Sequence, residues 1–222
     1  MQVSAIIPAF NEEKTIAGTV RALLSIGDID EIIVVDDGSS DETAKVARQA
    51  GAVTFQLAEN CGKGQALEVG SAISRGEILL LIDADLGDTA REASLLLEPV
   101  VTGNADMAVA IFSFTEGRGG FGLVEGLSRW AIGRSGGPRP IQPLSGQRAL
   151  RRQVWQELGF GTGFGVETAL SMGVHRCGYR MVEIPTTMNH RRTTRNWRGI
   201  VHRGRQFAHV LLAVMRRWRW LI

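Results

Sequence analysis

Ile78-Leu79-Leu80-Leu81-Ile82 is a run of five apolar residues closed on either side by Glu77 and Asp83. It has no polar alternation, so as a strand it must be covered on both faces, which is the condition of a central strand in a parallel sheet. Shorter runs precede it. Val3 to Ile7 reads as a strand broken by Pro8, Glu31 to Val35 is nearly continuous and apolar, and Val53 to Leu57 repeats the pattern. Segments of helical spacing lie between them. Glu12 to Ser25 carries Ile16, Val20, Leu23 and Leu24, a second segment runs from the turn at Asp36–Asp41 to about Ala50, and a third covers Gly64 to Ser74. Alternation of this kind predicts an α/β domain with a mostly parallel sheet and helices on both faces.

Beyond Asp85 the pattern loosens. Thr89 to Val101 reads as a helix, Asp106 to Ile111 as a strand, Val166 to His175 as an amphipathic helix and Arg180 to Pro185 as a strand. The stretch from Ser113 to Pro143 is glycine-rich and holds no steady period except a short amphipathic helix from Leu123 to Ile132; it is a place for a lid over a binding site. A chain of 222 residues with 44% apolar content can bury one substantial core. We therefore expect one domain over residues 1–190, with halves 1–110 and 111–190, and a separate basic segment over 191–222. Cys61 and Cys177 stand alone in sequence, so neither a disulfide framework nor a zinc site is predicted. Met1-Gln2 runs straight into the first strand and no apolar run reaches membrane-spanning length, which sets the expectation of a cytoplasmic protein without an export signal.

The chemistry gathers where the predicted strands end. Asp83-Ala84-Asp85 follows the five-residue run directly and sets two carboxylates at one strand tip. Like charges so placed need a cation or a proton, and a hard divalent ion such as Mg²⁺ or Mn²⁺ supplies it well, usually sharing phosphate oxygens with its few protein ligands. Pro8-Ala9-Phe10-Asn11-Glu12-Glu13 closes the first strand, Asp36-Asp37-Gly38-Ser39-Ser40-Asp41 the second, and Asn60-Cys61-Gly62-Lys63-Gly64 the third. In a parallel sheet these turns share one rim, the crevice in which open α/β sheets bind ligands. Backbone amides with Asn11 can fix a nucleotide there, Asp37 can accept the ring N–H of a uracil or guanine base, and a metal on Asp85 would bridge a diphosphate.

These four motifs, in this order over the first 90 or so residues, resemble those of family 2 glycosyltransferases with the GT-A (Rossmann-like) fold. The resemblance implies that Pro8, Ala9, Asn11, Glu12, Asp37 and Lys63 line the nucleotide pocket, that Asp83 and Ala84 face the nucleotide sugar, and that Asp85 holds Mg²⁺ or Mn²⁺. Two kinships follow in the second half. Pro143-Leu144-Ser145-Gly146-Gln147-Arg148-Ala149 is similar to a segment of dolichol-phosphate mannose synthases and other polyprenyl-phosphate sugar transferases, which makes Arg148 a candidate catalytic residue and Ser145 and Gly146 candidate acceptor contacts. Gly163-Phe164-Gly165-Val166-Glu167-Thr168 resembles a stretch of glucosyl-3-phosphoglycerate synthases, where a late histidine completes the metal site, and His190 occupies the corresponding place. Glu167 is a candidate active-site carboxylate by its likeness to the polyprenyl-phosphate enzymes. Its other reading is a helix-face carboxylate paired with an arginine. The implied reaction moves a sugar from a nucleoside diphosphate sugar, UDP or GDP, to a phosphate-bearing acceptor, with polyprenyl phosphate expected first and a small phosphorylated acid second. The motif Gly87-Asp88-Thr89 departs from the glutamine and proline that many polyprenyl-phosphate enzymes carry after the acidic turn.

Charge divides the chain. Residues 1–183 hold 16 basic and 23 acidic side chains, whereas nine arginines and no acidic residue follow Glu183. Arg191 and Arg195, with Arg192 and Arg198, have the guanidinium forks to clamp an acceptor phosphate or the leaving diphosphate; the alternative reading is a solvated connector. From Ile200 to Trp218 apolar residues recur at helical spacing among arginines, so 198–222 suits peripheral contact with the inner face of an anionic membrane, packing on the domain, or a homodimer. Two other classes share parts of this pattern. A nucleotidyltransferase would carry a glycine-rich N-terminal loop, and Pro8 to Glu13 has no glycine. A non-catalytic nucleotide- or nucleic-acid-binding protein would use the arginine tail, but the acidic first 183 residues oppose a broad nucleic-acid surface, and no nucleic-acid partner is expected.

Overall fold

β1 (Val3–Ala9) and β4 (Ile78–Leu81) pair in parallel at the centre of a seven-stranded sheet. The computed structural model describes residues 1–112, 122–158, 165–189, 211, 212, 214 and 215. On one side of β1 lie β2 (Glu31–Asp36) and β3 (Val53–Gln56), both parallel to it. On the far side of β4 come β6 (Arg148–Arg151), β5 (Met107–Phe112) and β7 (Met181–Thr186), giving the order β3-β2-β1-β4-β6-β5-β7. Six strands run one way. β6 alone is antiparallel, to β4 on one side and β5 on the other.

The helices cover both faces, as the alternation requires. On one face α1 (Ile16–Leu24), α2 (Thr43–Gln49) and α4 (Ser94–Val101) pack with Val3, Ala5, Ile7, Val34, Ile78 and Leu80. On the other, α3 (Lys63–Ile73), α6 (Arg152–Leu158) and α7 (Val166–Arg176) meet Ile6, Leu79, Leu81, Met107 and Leu150. α5 (Leu123–Arg134) packs against α7 through Ala131, Ile132 and Met172. The helix expected from Thr89 opens instead as a 3₁₀ turn, Gly87–Ala93, that leads into α4.

Pro8 does not end the first strand. The Ile6 carbonyl accepts from Ile82 of the β4 side and the Ala9 carbonyl from Asp37 on the β2 side, so position 8 faces β4. The β4 ladder stops at Ile6 and Leu81. The N–H that proline lacks would therefore have pointed past the end of β4, where no ladder bond is required. β6 and α6 were not foreseen: Arg148 is buried in place of an apolar residue, and the strand is four residues long. Of the basic segment, Leu211, Leu212, Val214 and Met215 are helical, and Val214 is buried in the cluster of Ala131, Ile132 and Met172. The remainder of the expected amphipathic helix lies outside the described residues, as does the part of the expected lid from 113 to 121. Among the described residues no helix is long and apolar enough to cross a membrane.

α3 sits close on β1 because Gly70 has no side chain. A Cβ there would lie 2.4 Å from Ile6 Cγ2 and 3.2 Å from Val35 Cγ2, in a fully buried layer. Gly70→Ala gains about 1 kcal/mol of helix propensity but incurs an overpacking cost of about 1–3 kcal/mol. Overpacking is expected to win, with a net loss of about 1 kcal/mol seen as a lower urea midpoint at unchanged slope.

Candidate active site

The strand order changes direction between β1 and β4. The chain leaves β1 for β2 and β3 on one side, then crosses to β4 on the other, so the turns after β1 and β4 flank the crevice where such sheets take ligands. The turns after β1 and β2 are sewn together. Asn11 adopts a left-handed φ of +56°. Its amide donates to Ser39 Oγ at 2.9 Å, and its Oδ1 accepts from the Ser40 amide at 2.9 Å. The Glu12 amide donates to Thr43 Oγ1 at 2.8 Å. Asp36 is fully buried and its Oδ1 accepts from both the amide and the hydroxyl of Ser39.

Asp37 holds the next turn. Its Oδ1 accepts from the Cys61 amide at 2.7 Å and its Oδ2 from the Gly62 amide at 2.8 Å. Gly38, at φ +72°, lets the turn after β2 touch Glu59, whose carbonyl carbon would lie 2.6 Å from a Cβ. Gly62, at φ +91°, precedes α3, so Lys63 is the first residue of that helix. Sequence reasoning gave Asp37 to the base of a nucleotide; in this structure both its oxygens engage backbone amides, and any base it reads must share them.

Lys63 extends to the tip of β4. Its Nζ lies 2.7 Å from Asp83 Oδ1 and 3.0 Å from Glu167 Oε1, the latter in the first turn of α7. Burial works against the charged amine, yet the facing carboxylates of Asp83 and Glu167 outweigh it and hold the Lys63 pKa above the ordinary lysine range. Glu167 is thus paired, but with a lysine rather than an arginine. The close approach depends on Gly146, where a Cβ would stand 2.5 Å from Lys63 Nζ and 2.9 Å from Asp83 Oδ2.

The segment 142–148 walls the site from the other half of the sheet. Gln142 exchanges two bonds with Phe112 of β5, its Oε1 accepting from the Phe112 amide and its Nε2 donating to the carbonyl, each at 2.9 Å. Gln147 Nε2 donates to Asp83 Oδ2 at 2.7 Å. Arg148 is 1% exposed. Its Nε donates to the Ser145 carbonyl at 2.9 Å and its Nη1 to Ser171 Oγ at 3.0 Å, and Ser171 in turn donates to the Glu167 carbonyl. Burial pushes the Arg148 pKa down to about 10, with Glu167 and Glu183 opposing the shift, so the guanidinium stays charged at neutral pH. The structure places Arg148 beneath the rim, joining the Ser145 turn to α7, rather than on the crevice surface.

Asp85 and Ala84 occupy the turn after β4, which α1 supports. Buried Thr19 donates from Oγ1 to the Ala84 carbonyl at 2.9 Å and accepts from the Gly87 amide at 2.9 Å. The structure therefore brings Pro8, Ala9, Asn11, Glu12, Asp37, Lys63, Asp83, Ala84, Asp85, Ser145, Gly146 and Glu167 to one rim, with Arg148 directly below. His190, Arg191 and Arg195 lie outside the described residues. Thr19 and Gln147 were missed. A threonine at an inward helix position carries no pattern that singles it out, and Gln147, inside the Pro143–Ala149 segment, stands at the position between Gly146 and Arg148 that the likeness leaves unspecified.

The comparisons with known proteins agree with this geometry. The family model Glycosyl transferase family 2 matches residues 4–163. The chain belongs to that family. It is 31% identical over 194 residues to glucosyl-3-phosphoglycerate synthase of Mycobacterium tuberculosis, a match covering 76% of this chain and 59% of that protein. The corresponding protein of Petrotoga mobilis is 30% identical over 192 residues, again covering 76% and 59%. This chain thus spans about three fifths of the length of these curated relatives. Among solved structures, the Mycobacterium tuberculosis synthase in complex with Mn²⁺, UDP-glucose and phosphoglyceric acid superposes with a TM-score of 0.79 at 26% identity, over 97% of this chain and 79% of that one.

Lys63→Met leaves Asp83 and Glu167 facing each other with no cation between them. Breaking a partly buried pair in this way is expected to cost about 3 kcal/mol of folding stability, as read from urea unfolding. Because the folded pKa of Lys63 lies above its ordinary value of 10.5, the bridge is complete below that pH and is lost only in stronger alkali. The difference between wild type and variant should hold constant from pH 6 to pH 9.

Proposed function

We propose that this protein is a metal-dependent glycosyltransferase that moves a hexose from a nucleoside diphosphate sugar to a small phosphorylated acid of the phosphoglycerate kind. The observation that carries this reading is the convergence of the Asp83–Asp85 turn, Lys63 and the turn after β1 at the crevice between β1 and β4, in a fold that over 97% of its length matches a synthase binding Mn²⁺, UDP-glucose and phosphoglyceric acid. The same relatives favour the phosphorylated acid over the polyprenyl phosphate that the Ser145–Ala149 segment led us to expect.

The residues present suit a hard cation that leans on substrate oxygens. Among the described residues no group of three or more histidine, cysteine, aspartate or glutamate side chains is arranged to hold a metal alone. Asp85, in the turn after β4, is the carboxylate that would hold Mg²⁺ or Mn²⁺, with diphosphate oxygens supplying the other donors a hard cation requires. The Asn189 amide donates to Thr89 Oγ1 at 3.2 Å, which brings the chain at 189 beside the turn that follows Asp85 and supports His190 as a further ligand. Once bound, the ion acts as a Lewis acid that offsets charge growing on the departing diphosphate.

The protein's own groups do the rest. Pro8, Ala9 and Asp37 border the nucleotide, and Asp83 faces the donor sugar from a position fixed by two partners. Lys63 and buried Arg148 offset the carboxylates of Asp83 and Glu167, which spares an incoming diphosphate the repulsion that those groups would otherwise exert. Glu167, held by Lys63, lies against the acceptor side. The acceptor atom is a hydroxyl of the acid; as the new glycosidic bond forms and the sugar–diphosphate bond breaks, its proton passes to an oxygen of the departing diphosphate, and Glu167 orients that hydroxyl and Lys63. Ser145 and Gly146 form the acceptor wall, with Arg191 and Arg195 as the phosphate clamp.

The test is radiolabelled sugar transfer from UDP-glucose, with GDP-mannose alongside, to 3-phosphoglycerate and to polyprenyl phosphate in vesicles. Mn²⁺-dependent labelling of the phosphorylated acid is expected, with activity lost on chelation and lowered on the order of a thousandfold in Asp85→Ala, matching the several kcal/mol a Lewis acid supplies. Labelling of the lipid alone would overturn the acceptor, and a fully active Asp85→Ala variant would refute the metal site.

A further inference from the structure

Gln147 has no solvent exposure, although it stands at the amino end of β6 against the rim. Its main chain is fixed, since its carbonyl accepts from the Ala110 amide of β5 at 3.0 Å. Its side chain is oriented by chemistry. Asp83 can only accept, so the amide nitrogen of Gln147 must be the end that meets Oδ2, at 2.7 Å. That choice leaves Oε1 buried without a partner among the described residues. A buried acceptor left unpaired is a standing cost to the fold, and an apolar side chain of similar volume would avoid it.

Lys63 meets Asp83 at Oδ1 through a flexible side chain that can follow the carboxylate through several rotamers. A second contact from a rigid strand removes that freedom. We propose that Gln147 is a positioning residue which, by gripping Oδ2, locks the Asp83 carboxylate in the orientation that faces both Lys63 and the donor sugar. The inference rests on the assignment of Asp83 to the donor sugar made under the proposed function. Its consequence is preorganisation: without Gln147 the carboxylate reaches its productive orientation only part of the time.

A double-mutant cycle tests this, using Gln147→Met, Asp83→Asn and the pair, read in the dissociation constant of UDP-glucose by calorimetry and in kcat/KM for the donor. Gln147→Met should lower kcat/KM tenfold or more and weaken UDP-glucose binding, while adding less than twofold to the loss already caused by Asp83→Asn. A structural role would lower the melting temperature and multiply with Asp83→Asn, and either that result or a fully active Gln147→Met protein would overturn the proposal. Should Gln147→Met fail to fold, Gln147→Ala, which admits water beside Asp83, takes its place in the cycle. Wild-type protein that binds UDP-glucose yet moves no sugar would end the proposed function while the binding cycle still decides the role of Gln147. Wild-type protein that does not bind UDP-glucose would end both.

Discussion

An ammonium group held 2.7 Å from one carboxylate and 3.0 Å from another joins three separate parts of this chain: the start of α3, the tip of β4 and the first turn of α7. None of these charges is comfortable alone in so covered a place, because burial disfavours each ionised form. Together the opposite charges offset one another, and the Lys63 pKa rises despite the desolvation. The arrangement reaches backward as well. Lys63 begins α3 where it does because Asp37 grips the Cys61 and Gly62 amides, and Gly62 turns the chain at a left-handed φ. It also reaches forward, since Gly146 leaves room for the pair and Gln147 completes the hold on Asp83.

The donor half was legible because its signals are local. Apolar runs marked β1, β2 and β4, the alternating Val53–Leu57 marked β3, and turns rich in aspartate, serine and glycine marked the rim. The details that escaped were those set by contacts distant in sequence. Pro8 reads as a strand breaker, yet it continues β1 because β4 has already ended on the side it faces. Asn11 and Asp37 read as ligands, yet each also spends its polar atoms on holding neighbouring turns together. β6 was invisible for a stronger reason. Its four residues include a buried arginine whose burial is made tolerable by hydrogen bonds to Ser145 and Ser171 and by the carboxylates of Glu167 and Glu183, and of these only Ser145 is near in sequence.

The acceptor side shows a different limit. Two short segments pointed to two families of acceptor, and no residue pattern within them decides between a lipid phosphate and a small acid. That choice depends on the space above the rim, which many segments shape jointly, whereas the donor site depends on a few turns at fixed strand ends. The acid acceptor proposed above rests on the likeness to glucosyl-3-phosphoglycerate synthases and not on a pattern within these segments. The described part of the basic segment is consistent with a chain folded back on its own domain, since Val214 packs among residues of α5 and α7.

The reversed direction of β6 has an architectural result. Every other strand delivers its outgoing end to the crevice, but β6 delivers its incoming end, with Gln147 just ahead of it and Gly146 and Ser145 before that. The two walls of the cleft are therefore built by opposite polarities of chain, one by loops that leave the sheet and one by a loop that arrives. Insertions or exchanges in the arriving loop can reshape one wall of the cleft while the departing loops, which build the other, stay as they are.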